Sequence, residues 1–157
     1  MAMAEAELSI FDRLPPQNIE AEQAVLGSML LDNEAIHDVV QLLTPEGFLR
    51  DAHQKIYKAI VDLYNESKNI DPLILLDELK RRVQLEEIGQ GELTAEYVGD
   101  LFESTPTAAN AEYYAKIVRE KAVARRLIQA STEVLRAAYD QADSADELLS
   151  LAERRIF

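Results

Sequence analysis

The chain contains no cysteine, and only five glycines and five prolines are spread over 157 residues. The missing cysteine removes disulfides, thiolate metal ligands and cysteine nucleophiles together, and fits a reducing compartment. Scarce glycine and proline, with no strict apolar–polar alternation, make an all-α chain the expected fold class. No apolar run approaches the roughly 18 residues that a membrane span requires. The opening MAMAEAELSIFDRL lacks both the basic start and the apolar core of a secretory signal. A soluble cytoplasmic protein is expected.

Positive charge is also short, with 16 Lys and Arg against 29 Asp and Glu, for a net charge of −13. Long-range repulsion therefore opposes wholesale binding to a phosphate backbone. With 48% apolar residues at this length, the chain is expected to form one domain, or one domain with an appendage, around a single core.

The positive charge that exists is concentrated. Between Lys116 and Arg136 stand six basic residues (Lys116, Arg119, Lys121, Arg125, Arg126, Arg136) and two acidic ones (Glu120, Glu133), so this stretch carries +4 and the rest −17. Such segregation points to a surface that meets something acidic, a second copy of the chain included.

Helix signals run along most of the sequence. Residues 1–14 carry no clear period and are expected to be a loose arm. Asn18 caps a helix with Glu20 and Glu22 in its first turn and Ile19, Val25, Leu26, Met29 and Leu30 on its apolar face, ending near Leu31. Asp32 and Asn33 offer the next cap, before Ile36, Val39, Val40 and Leu43. Thr44-Pro45 opens a short turn that sends Phe48 into the core. Asp51 is expected to cap a helix with Ile56, Ile60, Leu63 and Tyr64 on one face. Asp71-Pro72 repeats the signal before Leu73, Leu76 and Leu79. Glu86 to Glu92, with Gly89 and Gly91, reads as a loop, and Thr94 opens a helix bearing Tyr97, Val98, Leu101 and Phe102.

Thr105-Pro106 then starts the basic stretch. From Ala108 to Tyr139 there is neither glycine nor proline, and an apolar face runs through Tyr114, Ile117, Ala124, Ile128, Leu135 and Ala138. One helix of this length would span about 48 Å. Lys121 falls on the apolar seam, so a hairpin broken near Arg119 to Ala122 is the alternative. After QADSAD, a polar hinge, Ser144 and Glu147 form a capping box before a short apolar helix that continues to Phe157.

Several chemistries have no residues to support them. Gly27, Gly47, Gly89, Gly91 and Gly99 do not cluster before Lys-Ser/Thr as a phosphate-cradling loop requires. His37-Asp38 invites comparison with metal-dependent phosphohydrolases, but His53 is the only other histidine. No serine sits in a glycine-flanked turn suited to a nucleophile. Glu20/Glu22 and Glu86/Glu87 read as helix-start charges and a solvated face.

PPQNIEAEQAVLGSMLLDNEAI (15–36) and TPTAANAEYYAKIVREKAVARRLI (105–128) resemble the two most characteristic stretches of the N-terminal domain of bacterial DnaB-type replicative helicases. SADELLSLAERRIF (144–157) looks like that family's linker helix, which leads into a RecA-like motor domain. The resemblance covers residues 13–157 in order. It departs from the family at Asp71-Pro72-Leu73-Ile74, often a more polar turn, and at Gly89-Gln90-Gly91.

The resemblance implies a helical head of five to six helices (15–104), a projecting hairpin or dimerisation arm (105–140), and a hinge with the start of a linker helix (141–157). Hairpins would pair protomers, three pairs would form a hexameric ring, and the collar would receive the C-terminal domain of primase. It also implies no catalytic, cofactor-binding or metal residue in this chain, with ATP and magnesium held by a motor domain outside it. Protomer-interface candidates are Tyr114, Ile117, Ala124, Ile128, Leu135 and Ala138. Primase-coupling candidates are Tyr97, Ile128, Val134 and Leu149, and Arg119, Arg125 and Arg126 are candidates for an acidic partner or weak DNA contact. The linker helix would reach a neighbouring motor domain. Alternatives are the helicase-binding C-terminal domain of primase, similar in fold, and remotely an HD-type metal phosphohydrolase.

Overall fold

Helix α1 (Ile19–Leu31) carries apolar residues around its whole circumference, and eight of its thirteen residues are buried. A helix of that kind belongs at the centre of a fold. The computed structural model describes residues 9–84, 91, 93–141 and 143–156, and among these the regular structure is entirely helical. Around α1 lie α2 (Glu34–Val40), α3 (Asp51–Asn65) and α5 (Ala95–Glu103), while α4 (Pro72–Gln84) packs against α3 and α5. The chain ends in α6 (Ala111–Asp140) and α7 (Ala145–Ile156). Residues 17–123 form one compact unit, and residue 124 onward together with the segment before Gln17 forms another.

Most helix starts follow from the expected caps. Asn18 accepts from the Ala21 N–H at 3.0 Å, Asp71 from Ile74 at 2.8 Å, Thr94 from Tyr97 at 3.1 Å and Ser144 from Glu147 at 3.2 Å. Two caps differ. Asp51 is the first residue of α3 rather than its cap, and its carboxylate pairs with Lys55 one turn on. Asp32 alone caps α2, accepting from the Glu34 N–H at 3.0 Å. The Asn33 amide instead accepts from the Ile70 N–H at 2.6 Å and donates to the Ile70 and Met29 carbonyls, pinning the entry to α4 against the end of α1.

The core is built from α1, α3 and the residues they touch. Ile56, Ile60 and Leu63 are buried, and Phe48 is delivered by the 3-10 turn Pro45–Gly47. Tyr57 packs its ring 5.0 Å from Phe48 and donates to the Leu43 carbonyl at 2.7 Å, with burial pushing its phenol up to about 12. On α4, Leu75 and Leu79 face inward while Leu73 is 75% exposed, so Leu73 does not belong to the apolar face expected for it. The reason is periodicity: Leu75, Leu79 and Arg82 repeat at four and three residues, and Leu73 falls about 200° around the helix from Leu75.

Arg82 is the buried cation of this unit. It donates to Glu78 on its own helix and to Asp62 of α3, each at 2.9 Å. Burial alone would lower its affinity for a proton, but the two carboxylates outweigh that and raise it. The Arg81 hydrogen bond, aided by Arg82, holds the Glu78 carboxyl down at about 2.

Gly27 marks a close approach of α1 to the end of α5. A β-carbon there would run into the Thr105 hydroxyl and the Leu101 carbonyl, so only glycine lets α1 and the end of α5 meet at this distance.

Helix α6 is continuous for 30 residues, about 45 Å of axis. The break near Lys121 and the hairpin over 105–140 are not found. Lys121 is tolerated on the seam because a half-buried lysine keeps its ammonium in water while its stem covers apolar surface. The helix also begins three residues later than Ala108. Its end is Gln141 in a left-handed conformation (φ 50°), after which the chain turns and α7 returns to α6, Arg155 pairing with Glu133 at 2.9 Å. The hairpin therefore turns after Gln141, and its second arm is α7, the stretch that resembled a linker helix. Of the N-terminal arm, residues 9–14 are described and include a 3-10 turn at Ile10–Asp12 capped by Ser9. The loop expected over 86–92 lies outside the described residues except for Gly91.

Candidate functional site: a helical hairpin and a buried polar chain

The expected interface residues separate into two groups. Tyr114 and Ile117 are half-buried against the core cluster of the head. Beyond them Ala124 is half-buried, Ile128 and Leu135 are 51% and 42% exposed, and Ala138 is exposed. Tyr139, not among the candidates, is 79% exposed. At 100° per residue Ile128, Leu135 and Tyr139 fall within about 20° of one line along α6, so they form a continuous apolar stripe. Leu127, also half exposed, flanks it.

Helix α7 adds a second amphipathic surface and has no buried residue. Leu149 is 64% exposed and Ile156 is 41% exposed, while Leu148, Leu151 and Ala152 are half-buried. Two amphipathic arms clasped by an exposed ion pair leave apolar surface that their own chain does not cover.

The basic strip serves more than one purpose. Arg125 donates through Nη1 to the Pro16 carbonyl at 2.8 Å, so part of its guanidinium engages its own chain. Arg119 and Arg126 are exposed. Arg126 stands about 160° around α6 from Ile128, which puts it on the side away from the apolar stripe.

A second constellation was not legible as such in the sequence. Glu22, read as a solvated helix-start charge, is buried on α1, and the buried His53 of α3 places Nδ1 2.7 Å from its Oε1. Glu22 also accepts from the backbone N–H of Leu49 at 2.8 Å and of Arg50 at 3.5 Å. On the other side of the imidazole, Nε2 meets the Tyr97 hydroxyl at 2.5 Å, and Gln23 Nε2 donates to that hydroxyl at 3.3 Å. The His53 and Tyr97 rings stack with centroids 5.9 Å apart. With Nδ1–H donating to Glu22, Nε2 accepts the Tyr97 proton and the Tyr97 oxygen accepts from Gln23, so every member is matched. A helix start two residues before a buried histidine contact has no periodic signature, which is why the pairing went unseen.

The remaining candidates are dispersed. Val134 is half-buried, and Tyr97 is half-buried on the head. His37 is exposed on α2, its Nε2 3.1 Å from the Gln41 amide nitrogen. Among the described residues no group of three or more His, Asp or Glu is placed to hold a metal ion, and no helix is long and apolar enough to cross a membrane.

Comparison with known proteins shows the family to which these helices belong. Residues 14–120 match the family model described as DnaB-like helicase N terminal domain, and the chain belongs to that family. It is 45% identical over 145 residues to the replicative DNA helicase DnaB of Geobacillus stearothermophilus, which covers 92% of this chain and 31% of that protein. It is 46% identical over 149 residues to the replicative DNA helicase DnaB of Mycobacterium leprae, covering 94% of this chain and 24% of that one. The chain thus spans about a third or less of these relatives. The crystal structure of the N-terminal domain of DnaB helicase from Mycobacterium tuberculosis superposes with a TM-score of 0.82 at 44% identity, covering 91% of this chain and 98% of that one.

Proposed function

We infer that this domain is the non-catalytic collar of a replicative helicase, pairing protomers through the α6–α7 hairpin to help build a hexamer and receiving the C-terminal domain of primase. The observation that carries the reading is the uncovered apolar stripe Ile128, Leu135 and Tyr139 on α6, beside an α7 without a buried residue. Burying such a stripe against its copy is favourable by about 25 cal/mol per Å² of apolar surface removed from water. A two-fold pairing lets each hairpin supply the surface that the other needs.

Strand separation, with ATP and magnesium, is assigned to a motor domain outside this chain. Primase coupling is assigned to Tyr97, Ile128, Val134 and Leu149, the last three of which lie on the hairpin. Helix α7 would therefore serve pairing first, and contact with a neighbouring motor domain second. A direct grip on DNA is not favoured, because the net charge of −13 opposes it and Arg125 is engaged with Pro16. Work in the bacterial cytoplasm follows from this role.

The test is a titration of the chain with a primase C-terminal domain, monitored by light scattering over a concentration series. Self-association together with a complex of added mass is expected. A strict monomer that ignores the primase domain would contradict the reading.

A further inference from the structure

The segment before α1 carries three large apolar side chains that its own chain leaves in water. Ile10, Phe11 and Leu14 are 69%, 64% and 82% exposed. The segment is nevertheless shaped: Ser9 caps a 3-10 turn, and the Pro15-Pro16 pair that follows restricts the backbone. It is also anchored, because the Pro16 carbonyl accepts from Arg125 Nη1 at 2.8 Å, and both residues belong to the compact unit that holds α6 from Ala124 onward. A turn held on a helix with its apolar side chains outward supplies a contact surface and no core.

The spacing along α6 indicates what that surface meets. Ile128 and Leu135 lie equally far from a point between Ser131 and Thr132, and so do Ala124 and Tyr139. A second copy laid antiparallel about a two-fold axis through that point sets Ile128 on Leu135 and Tyr139 on the small Ala124, at both ends. The centre allows close approach, since Ser131 is small and the Thr132 hydroxyl is turned back on the Ile128 carbonyl at 2.7 Å. Tyr139 is 79% exposed and too large for Ala124 alone to cover.

At 100° per residue, Arg125 stands about 60° to one side of Ile128 and Tyr139 about 20° to the same side. A two-fold axis perpendicular to the helices keeps that side common to both copies. It also brings Arg125 of one copy to within about 1.5 Å, one residue's rise, of the level of Tyr139 of the other. Arg125, by holding Pro16, therefore sets the N-terminal segment of one copy beside the Tyr139 ring of its mate.

We propose that residues 10–16 clamp a second copy of this chain, seating its Tyr139 ring between Ala124 and the side chains of Phe11 and Leu14. This rests on the pairing function inferred above, and adds a partner for a segment outside the hairpin. Arg125 is a positioning residue that holds the clamp on α6.

The test measures self-association by sedimentation for the wild type, Phe11→Ser/Leu14→Ser, Tyr139→Ala and the combination of all three changes. These side chains are exposed, so thermal midpoints should stay in place. The clamp variant is expected to weaken pairing about tenfold, and Tyr139→Ala about as much. The combination should lose little more than either alone. Because the chain has no cysteine, Leu14→Cys mixed with a mass-tagged Tyr139→Cys should form a disulfide between the two, while neither should link to itself.

A wild type that stays monomeric overturns the pairing function and this inference with it. A self-associating wild type whose clamp variant associates equally well overturns the inference alone. Losses that simply add in the combination, or an absent mixed disulfide, also overturn the inference while leaving the pairing function standing.

Discussion

His53 Nδ1 stands 2.7 Å from Glu22 Oε1, and the two side chains are 0% and 1% exposed. A carboxylate so placed is held by what it accepts, and removing it strands an imidazole and the Leu49 N–H in the interior. Glu22→Ala is expected to lower the unfolding free energy by about 3 kcal/mol, measured by urea denaturation. Glu20→Ala, at an exposed position on the same helix turn, should change it by less than about 0.5 kcal/mol. Equal effects at the two positions would show that burial of Glu22 is not what matters.

Gly27 tests the fit of α1 against the end of α5. Gly27→Ala is expected to destabilise by about 2 kcal/mol, despite alanine's better helix propensity, because the added carbon meets both the Thr105 hydroxyl and the Leu101 carbonyl. Thr105→Ala in that background should relieve only part of the loss, since the backbone carbonyl remains. Full recovery in the double variant would place the whole conflict on the hydroxyl.

Glu78 gives the pH dependence its sign. Its carboxyl is held at about 2, below the ordinary 4.5, mainly by the Arg81 hydrogen bond. A depressed folded-state value contributes stability that is present above about 4.5 and lost as pH falls toward 2. The stability advantage of wild type over Glu78→Gln should be constant above that range and shrink across it during acid titration. An advantage that persists unchanged at pH 2 would contradict the assignment.

Helix α7 should be the least protected element among the seven. It has no buried residue, and the Arg155–Glu133 pair that clasps it is about half exposed, worth roughly 1 kcal/mol or less. Hydrogen exchange is expected to be fast in α7 and slow in α3 at low protein concentration, with α7 gaining protection as concentration rises. Concentration-independent exchange would argue that nothing covers it.

Much of this fold was legible because helix starts are local events. Asn18, Asp71, Thr94 and Ser144 each cap through a side chain three residues from the amide served, and the α3 face repeats without interruption. What escaped depends on distant partners. Nothing near Glu22 in sequence announces His53, 31 positions on, and nothing near Arg125 announces the Pro16 carbonyl, 109 positions back. The break suggested at Lys121 failed for a related reason: a charged residue on an apolar seam argues against a long helix only if its ammonium must also be buried.

The apolar face expected along α6 is exposed over only part of its length. Ile128, Leu135 and Ala138 follow from periodicity, but Tyr114 and Ile117 share the same period and pack on the core instead. Period alone does not say where along a helix the domain body ends.

The central claim is that Ile128, Leu135 and Tyr139 pair two copies of this chain. Sedimentation across a concentration series, comparing wild type with Ile128→Asp/Leu135→Asp, tests it most directly. Wild type should move from monomer to dimer or larger as concentration rises, while the double variant remains monomeric with an unchanged helical circular dichroism spectrum. A wild type that stays monomeric throughout, or a double variant that associates equally well, would contradict the account.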